Sequence, residues 1–165
     1  MDPLFSWKKG ARWTFGADFS GQKRTAVLTV TGSSGDRTDF EYDLFEPGDP
    51  QPTASADEAW YADGDYVVWG SRDADDSLVP YWRVFKRGAE DGAAWPGLLD
   101  LEVTAHMGKA EVVVPAGTFK DAIHIRVMGP KIHDFFFAPG VGLVKWETGT
   151  DGGEVVLELR EFSAG

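Results

Sequence analysis

The sequence contains no cysteine. Disulfide bonds, thiolate metal sites, iron–sulfur clusters and cysteine nucleophiles are therefore excluded. Histidine is scarce as well, with three residues in a chain of 165. The sequence also lacks a G-x-S-x-G nucleophile elbow, a P-loop and a G-x-G-x-x-G fingerprint. We therefore expect neither a catalytic constellation nor a cofactor.

Basic residues are few, with 16 Lys and Arg against 27 Asp and Glu, which gives a formal net charge of -11. A nucleic-acid partner is not expected, because no basic patch is present to neutralise phosphates. Anionic membrane surfaces are disfavoured for the same reason. The acidity favours solubility through self-repulsion. The alternative is an acidic surface that attracts cations or basic partners.

Long hydrophobic runs are missing too. No stretch approaches the ~18 apolar residues that a transmembrane helix requires, so no transmembrane segment is predicted. The opening MDPLFSWKKG lacks the basic and apolar regions of a signal peptide. We expect a cytoplasmic chain, or an extracytoplasmic one whose export signal was removed, so the compartment is unknown at this point.

The chain is rich in aromatic side chains and in two-residue alternation. Aromatic residues make up 13% of the chain, and seven of them are tryptophan. Apolar and polar residues alternate along most stretches, as in ARWTFGADF at 11–19, which is typical of strands with one buried face. Helical spacing is not sustained anywhere. The sequence predicts a single all-β domain over 1–165, an antiparallel meander of about ten strands forming a curved sheet, half-barrel or barrel.

Glycine and proline predict the connections between these strands. The Pro-rich stretch 46–55 is predicted to be a loop, and Asp63-Gly64 a tight hairpin turn. The stretch AEDGAAWPG at 89–97 is predicted to be another loop. Gly108 is predicted to join the strands 99–107 and 109–114 into a hairpin.

Three adjacent phenylalanines, Phe135, Phe136 and Phe137, break the alternation. Either their strand is covered on both faces, or one face is an exposed apolar site. We expect both faces to be covered, because a solvent-exposed phenylalanine loses roughly 1.5–3 kcal/mol of the free energy that its burial would contribute. The outer cover is expected from the Pro-rich segment after Glu46 or from the loop around Trp95.

Two stretches carry a family likeness: VVVPAGTFKDAIHIRV at 112–127 and FFFAPGVGLVKWETGTDGGEVVLELREF at 135–162. With the opening KKGARWTF at 8–15, they resemble small bacterial exported or lipid-anchored all-β proteins of unknown function. That group resembles half-barrel lipoprotein carriers. The resemblance implies a curved antiparallel sheet around an apolar interior and supplies no catalytic residue. A lipocalin-like closed barrel is the main alternative.

The most recognisable residues of this module make turns. Pro115 and Pro139 cannot donate to a sheet ladder and should end strands. Gly117, Gly140 and Gly142 allow the backbone conformations that tight connections need. A structural role is therefore favoured for this motif.

The aromatic strands and the resemblance together predict a non-catalytic domain. It would bind an apolar small molecule, an envelope component or a protein partner. We expect ligand contacts from Trp13, Phe15, Phe135, Phe137 and Trp146. The alternatives are a structural or assembly module and, with less support, a carboxylate-dependent hydrolase.

The histidines are not expected to bind a metal. His106 and His124 lie on the polar faces of their strands, and a zinc site would require those strands to be adjacent and in register. Exposed or locally bonded side chains are favoured instead. His133 and Asp134 are neighbours on one strand and point to opposite faces, so they cannot form a dyad.

Acidic residues are plentiful, yet few stand out. Among them, Asp121 and Asp134 alone are expected on an apolar face, and Asp134 is expected to bond to a neighbouring loop. The acidic run at 73–76 has the charge of a calcium loop without its glycine and terminal glutamate. It is predicted to be a solvated loop.

Overall fold

The computed structural model describes residues 1–149 and 154–165. These residues form twelve β-strands and no helix. The described part of the chain therefore has no helix long and apolar enough to cross a membrane. The strands are β1 (Arg12–Phe19), β2 (Gln22–Ser34), β3 (Arg37–Phe45), β4 (Ala54–Asp63), β5 (Tyr66–Arg72), β6 (Leu78–Lys86), β7 (Ala94–Pro96), β8 (Glu102–Val114), β9 (Gly117–Met128), β10 (Ile132–Ala138), β11 (Gly142–Thr148) and β12 (Val155–Ser163).

All twelve strands belong to one antiparallel sheet, in the order β6-β5-β4-β3-β2-β1-β12-β11-β10-β9-β8-β7. Each hydrogen-bonded pair except β1–β12 joins strands that are consecutive in the chain. The all-β meander predicted from the sequence is therefore confirmed, with twelve strands where about ten were expected. The sheet curls into a nearly closed barrel.

The barrel has a seam between β6 and β7, where no backbone ladder joins the two edge strands. Side chains cross this gap. The indole Nε1–H of Trp95 donates to the carbonyl oxygen of Arg83 at 3.0 Å, and the Arg83 guanidinium donates to the carbonyl of Pro96 at 3.1 Å. Closure thus depends on two side-chain hydrogen bonds and on packing beneath them.

Two of the predicted connections differ from the structure. Gly108 does not turn the chain: β8 runs through it, with φ at 73° and register irregularities against β9 between His106 and Val112. A glycine at positive φ makes a bulge here rather than a hairpin. The predicted loop 89–97 also contains a short strand, β7, which pairs with β8. The hairpin after Asp63 is confirmed, and the predicted loop 46–55 is confirmed over 46–53, since β4 begins at Ala54.

The barrel interior is filled mainly by aromatic side chains. Alternate residues of each strand point inward, as the period of a strand requires. The largest fully buried side chains are Trp13, Trp60, Trp69, Phe5, Phe15, Phe40, Phe135 and Phe137. Edge-to-face and tilted ring pairs connect them, as in Trp13–Trp60 at 5.9 Å and Phe40–Trp60 at 4.4 Å. Such pairs add about 0.5–1.5 kcal/mol each beyond burial.

Residues 1–9 close one end of the barrel, and we call them the N-terminal plug. Phe5 is fully buried, with its ring 5.0 Å from that of Phe137 and 5.8 Å from that of Trp60. Its carbonyl accepts a hydrogen bond from the Thr38 hydroxyl at 2.8 Å. The opposite end, where β1 ends and β2 begins, is called the distal end below.

Candidate functional site

The five residues predicted to contact a ligand all face the barrel interior. Four of them, Trp13, Phe15, Phe135 and Phe137, are fully buried. Trp13 also has its polar atom satisfied, since its indole N–H donates to the carbonyl of Val141 at 2.6 Å. These four residues form the packed core. Trp146 differs, because it is half-buried and lies toward the distal end.

The inward-facing side chains become half-buried toward the distal end. Tyr42 on β3, Trp82 on β6, His133 on β10 and Trp146 on β11 all show this intermediate exposure. Two buried residues lie between them, Glu58 on β4 and Trp69 on β5. We refer to these six residues as the distal cluster: Tyr42, Glu58, Trp69, Trp82, His133 and Trp146.

Three indoles converge in the distal cluster. The Trp69 ring lies 5.6 Å from that of Trp82 and 5.5 Å from that of Trp146, and the last two are 5.8 Å apart. The His133 ring stands 5.0 Å from Trp82. Strand register places Trp69 beside Trp82 and Trp146 beside Phe135. The Phe135 ring in turn lies 5.5 Å from Trp69 and 5.4 Å from Trp82 across the interior.

Glu58 is the one buried carboxylate among residues 1–149 and 154–165. It pairs with Phe40 on β3 and with Ser71 on β5, and 8% of its surface is exposed. It forms no ion pair with any residue in the described part of the chain. Burial raises the pKa of Glu58 to about 7, although the nearby Trp69 indole acts to lower it. Burial and the Glu58 charge raise the pKa of Tyr42 to about 12.

Several buried indole N–H groups lack a partner. The Nε1 atoms of Trp60, Trp69 and Trp146 are inaccessible and make no hydrogen bond with the described residues. The Trp69 nitrogen lies near Glu58, but the geometry falls short of a hydrogen bond. An unsatisfied buried donor costs about 1–3 kcal/mol. Trp69 and Trp146 thus bring two buried, unpartnered donors into the distal cluster, whereas Trp60 lies in the core.

Of the six residues of the distal cluster, the sequence predicted only Trp146 as a site residue and missed the other five: Tyr42, Glu58, Trp69, Trp82 and His133. The statement that only Asp121 and Asp134 lie on apolar faces was wrong: Asp121 is exposed, and Asp134 lies on the outer surface. The alternation in β4 could have identified Glu58 as an inward-facing carboxyl group, because Ala56, Glu58 and Trp60 share one face of the strand.

The outer face of β9 and β10 carries a polar network around Phe136. Asp134 lies 2.6 Å from His124 Nε2 and accepts from Arg126 Nε at 2.8 Å. Burial acts to raise the pKa of Asp134, but these hydrogen bonds outweigh it and lower the pKa. The local bonding expected for His124 is confirmed. The expected partner of Asp134 was a loop, and the structure shows a neighbouring strand instead.

Phe136 is half-buried, so the prediction of full cover on both faces was wrong for this residue. Its ring stacks on His124 with centroids 4.6 Å apart. Neither of the two predicted outer covers lies over it: Trp95 belongs to the seam and the core, and the Pro-rich segment after Glu46 joins β3 to β4. His106 does pair with His124 in register, but residues 1–149 and 154–165 contain no cluster of three or more His, Asp or Glu residues suited to a metal ion.

The described residues also form cavities away from the distal cluster. One of about 530 Å³ lies on the outside of β7, lined by Trp95, Pro96 and Leu101 among others. Another, of about 270 Å³, lies beside the N-terminal plug and is mostly apolar, with Leu4, Phe85 and Met107 in its wall. Neither is lined by a buried side chain with an unpartnered polar atom.

The turn role predicted for the VPAGTF and APGVG residues is supported by their positions. Pro115 lies between β8 and β9, and Pro139 between β10 and β11. Gly117, Gly140 and Gly142 all have positive φ, at 146°, 78° and 84°. No protein-family model matches the chain, and no curated protein or solved structure matches it either. The likeness to exported lipoprotein-type proteins therefore rests on these sequence motifs and stays a prediction.

Proposed function

We propose that this protein is a non-catalytic domain that binds a small, largely apolar ligand at the distal cluster. The observation that carries this proposal is the set of half-buried indoles, Trp82 and Trp146, next to buried and unpartnered N–H groups. Binding sites for small molecules combine aromatic walls with a few polar groups in this way. The cavity beside the N-terminal plug is the weaker choice, because none of the residues that line it carries a buried, unpartnered polar atom.

Among the expected residues, Trp146 keeps its assignment as a ligand contact in this proposal. Trp13, Phe15, Phe135 and Phe137 would support the site from within the core rather than touch the ligand. Three other residues take their place. Tyr42 lies near Glu58, and the rings of Trp69 and Trp82 lie close to that of Trp146.

A structural or assembly module is the second candidate, and one observation favours it. Most of the interior is filled by side chains of the strands and of the N-terminal plug. A carboxylate-dependent hydrolase has less support. It would need a second carboxylate about 5–9.5 Å from the first, and the residues paired with Glu58 across the ladders are Phe40 and Ser71.

Titration with the neutral fluorescent probe N-phenyl-1-naphthylamine tests the proposal. We expect saturable binding to the wild type, weakened at least tenfold in Trp146→Ala. Ala56→Trp is a second variant, which adds bulk at an exposed, inward position beside Tyr42. Leu99→Ala is the matched control, since Leu99 is 88% exposed outside the barrel. Near-UV circular dichroism checks that each variant is folded.

Unchanged probe affinity in both folded variants would overturn the proposal, because the probe would then bind elsewhere. Absence of any saturable binding to the wild type would do the same and would favour the structural alternative.

A further inference from the structure

The distal cluster combines two features that recognise positive charge. Aromatic faces attract cations within about 6 Å of the ring centroid, and tryptophan is the strongest of them. Three indoles converge here with ring centroids 5.5–5.8 Å apart. Trp69 also lies beside the Glu58 carboxyl group. Trp82 and Trp146 are half-buried and Glu58 keeps 8% of its surface exposed, so two of the rings and the acidic residue retain accessible surface.

No positive charge of the protein is available to Glu58 within the described residues. Arg24, which faces inward on β2, pairs with Glu46 at 2.9 Å and lies over the Phe19 ring. Burial lowers the pKa of His133, which keeps it neutral near pH 7. Tyr42 is neutral as well, and Ser71 carries no charge. A buried carboxylate without a counter-ion is costly.

The missing positive charge is better supplied by an organic cation than by a metal ion. Calcium and magnesium take about six or more oxygen ligands, mostly carboxylates, carbonyls and water. Glu58 lies beside Phe40 and Trp69, and residues 1–149 and 154–165 hold no acidic or histidine cluster suited to a metal ion. Alkylammonium groups, by contrast, present apolar surface and charge together.

We propose that the distal cluster binds an organic ammonium ion, with the charged nitrogen near Glu58 and the alkyl groups against Trp69, Trp82 and Trp146. This inference rests on the proposed function and names its ligand class. The net charge of -11 favours the approach of such a ligand through long-range attraction.

Binding of the cation is coupled to the release of a proton from Glu58. Burial raises the pKa of Glu58 to about 7, and a bound cation stabilises the ionised carboxylate. Binding below pH 7 therefore releases a proton. Affinity should be about tenfold lower at pH 6 than at pH 8 and should level off above that.

Calorimetric titration with two matched pairs tests the inference: choline against 3,3-dimethyl-1-butanol, and hexylammonium against 1-hexanol. At pH 8 we expect at least one cation to bind about tenfold more tightly than its neutral partner. Glu58→Gln should abolish that preference and the pH dependence. Asp57→Asn is the control, because Asp57 is the preceding residue of β4, is exposed and carries the same charge.

Equal affinity for cation and neutral partner in both pairs, together with binding of N-phenyl-1-naphthylamine, would overturn the inference and leave the proposed function standing. Binding of neither probe nor cation would overturn both. A preference retained in Glu58→Gln would also overturn the inference, since Glu58 would then not recognise the cation. A preference lost equally in Asp57→Asn would overturn it too, since the cation would then respond to net charge alone.

Discussion

Glu58 is a carboxyl group on the apolar face of β4, and it makes stability depend on pH. Its pKa is about 7 in the folded chain and 4.5 when unperturbed. At a pH between 4.5 and 7, Glu58 is therefore protonated in the folded chain and ionised in the unfolded chain. The free energy of unfolding therefore falls as pH rises from 4.5 to 7, by about 3 kcal/mol at about 1.4 kcal/mol per pKa unit.

Glu58→Gln removes this titration, because an amide stays neutral. We expect the variant to gain stability relative to the wild type as pH rises from 4.5 to 8, by up to about 3 kcal/mol. Urea unfolding of both proteins at pH 4.5, 6 and 8 measures the difference. Parallel stability profiles for the two proteins would contradict the raised pKa.

The three adjacent phenylalanines are unequal. Phe135 is fully buried, whereas Phe136 stacks on His124 at the surface. Phe135→Ala should cost about 3–5 kcal/mol through the cavity that it leaves. Phe136→Ala should cost about 1–2 kcal/mol, because its ring is already partly in water. Thermal unfolding of the two variants checks the order, and equal losses would show that the outer face is packed like the core.

At the scale of single strands, sequence alternation predicts most of the fold. The stretches 11–19 and 37–45 alternate as β1 and β3 do, because one face of each meets the interior. Gly108 shows where this reasoning fails. A glycine at positive φ is compatible with a hairpin turn and with a bulge, and only the long partner strand β9 decides between them.

The candidate site is harder to predict, because it depends on register between strands that are distant in sequence. Trp69 and Trp146 lie on strands far apart in the chain and meet across the interior at 5.5 Å. The alternation places each of them inward and says nothing of their distance. The partial burial of Phe136 was also not predictable from its own strand, because the side chain that stacks on it, His124, belongs to the neighbouring strand β9.

At the scale of the whole molecule, the N-terminal plug holds the two halves of the meander together. The β6–β7 seam has no backbone ladder, so the halves β1–β6 and β7–β12 are joined in the sheet only through β1 and β12. Phe5 contacts Trp60 and Phe85 from the first half and Phe137 from the second, with ring centroids at 5.8, 5.8 and 5.0 Å.

We therefore expect Phe5→Ala to destabilise the whole barrel by about 3–5 kcal/mol, although Phe5 belongs to no strand. Val113→Ala is the control, because Val113 is 66% exposed, and it should change stability by less than about 0.5 kcal/mol. Guanidinium unfolding, followed by tryptophan fluorescence and by far-UV circular dichroism, measures both. Coincident transitions shifted together in Phe5→Ala would show that the plug acts on the entire barrel. Loss of fluorescence ahead of the β signal would instead mean that the plug leaves independently, so that the sheet stays closed without it.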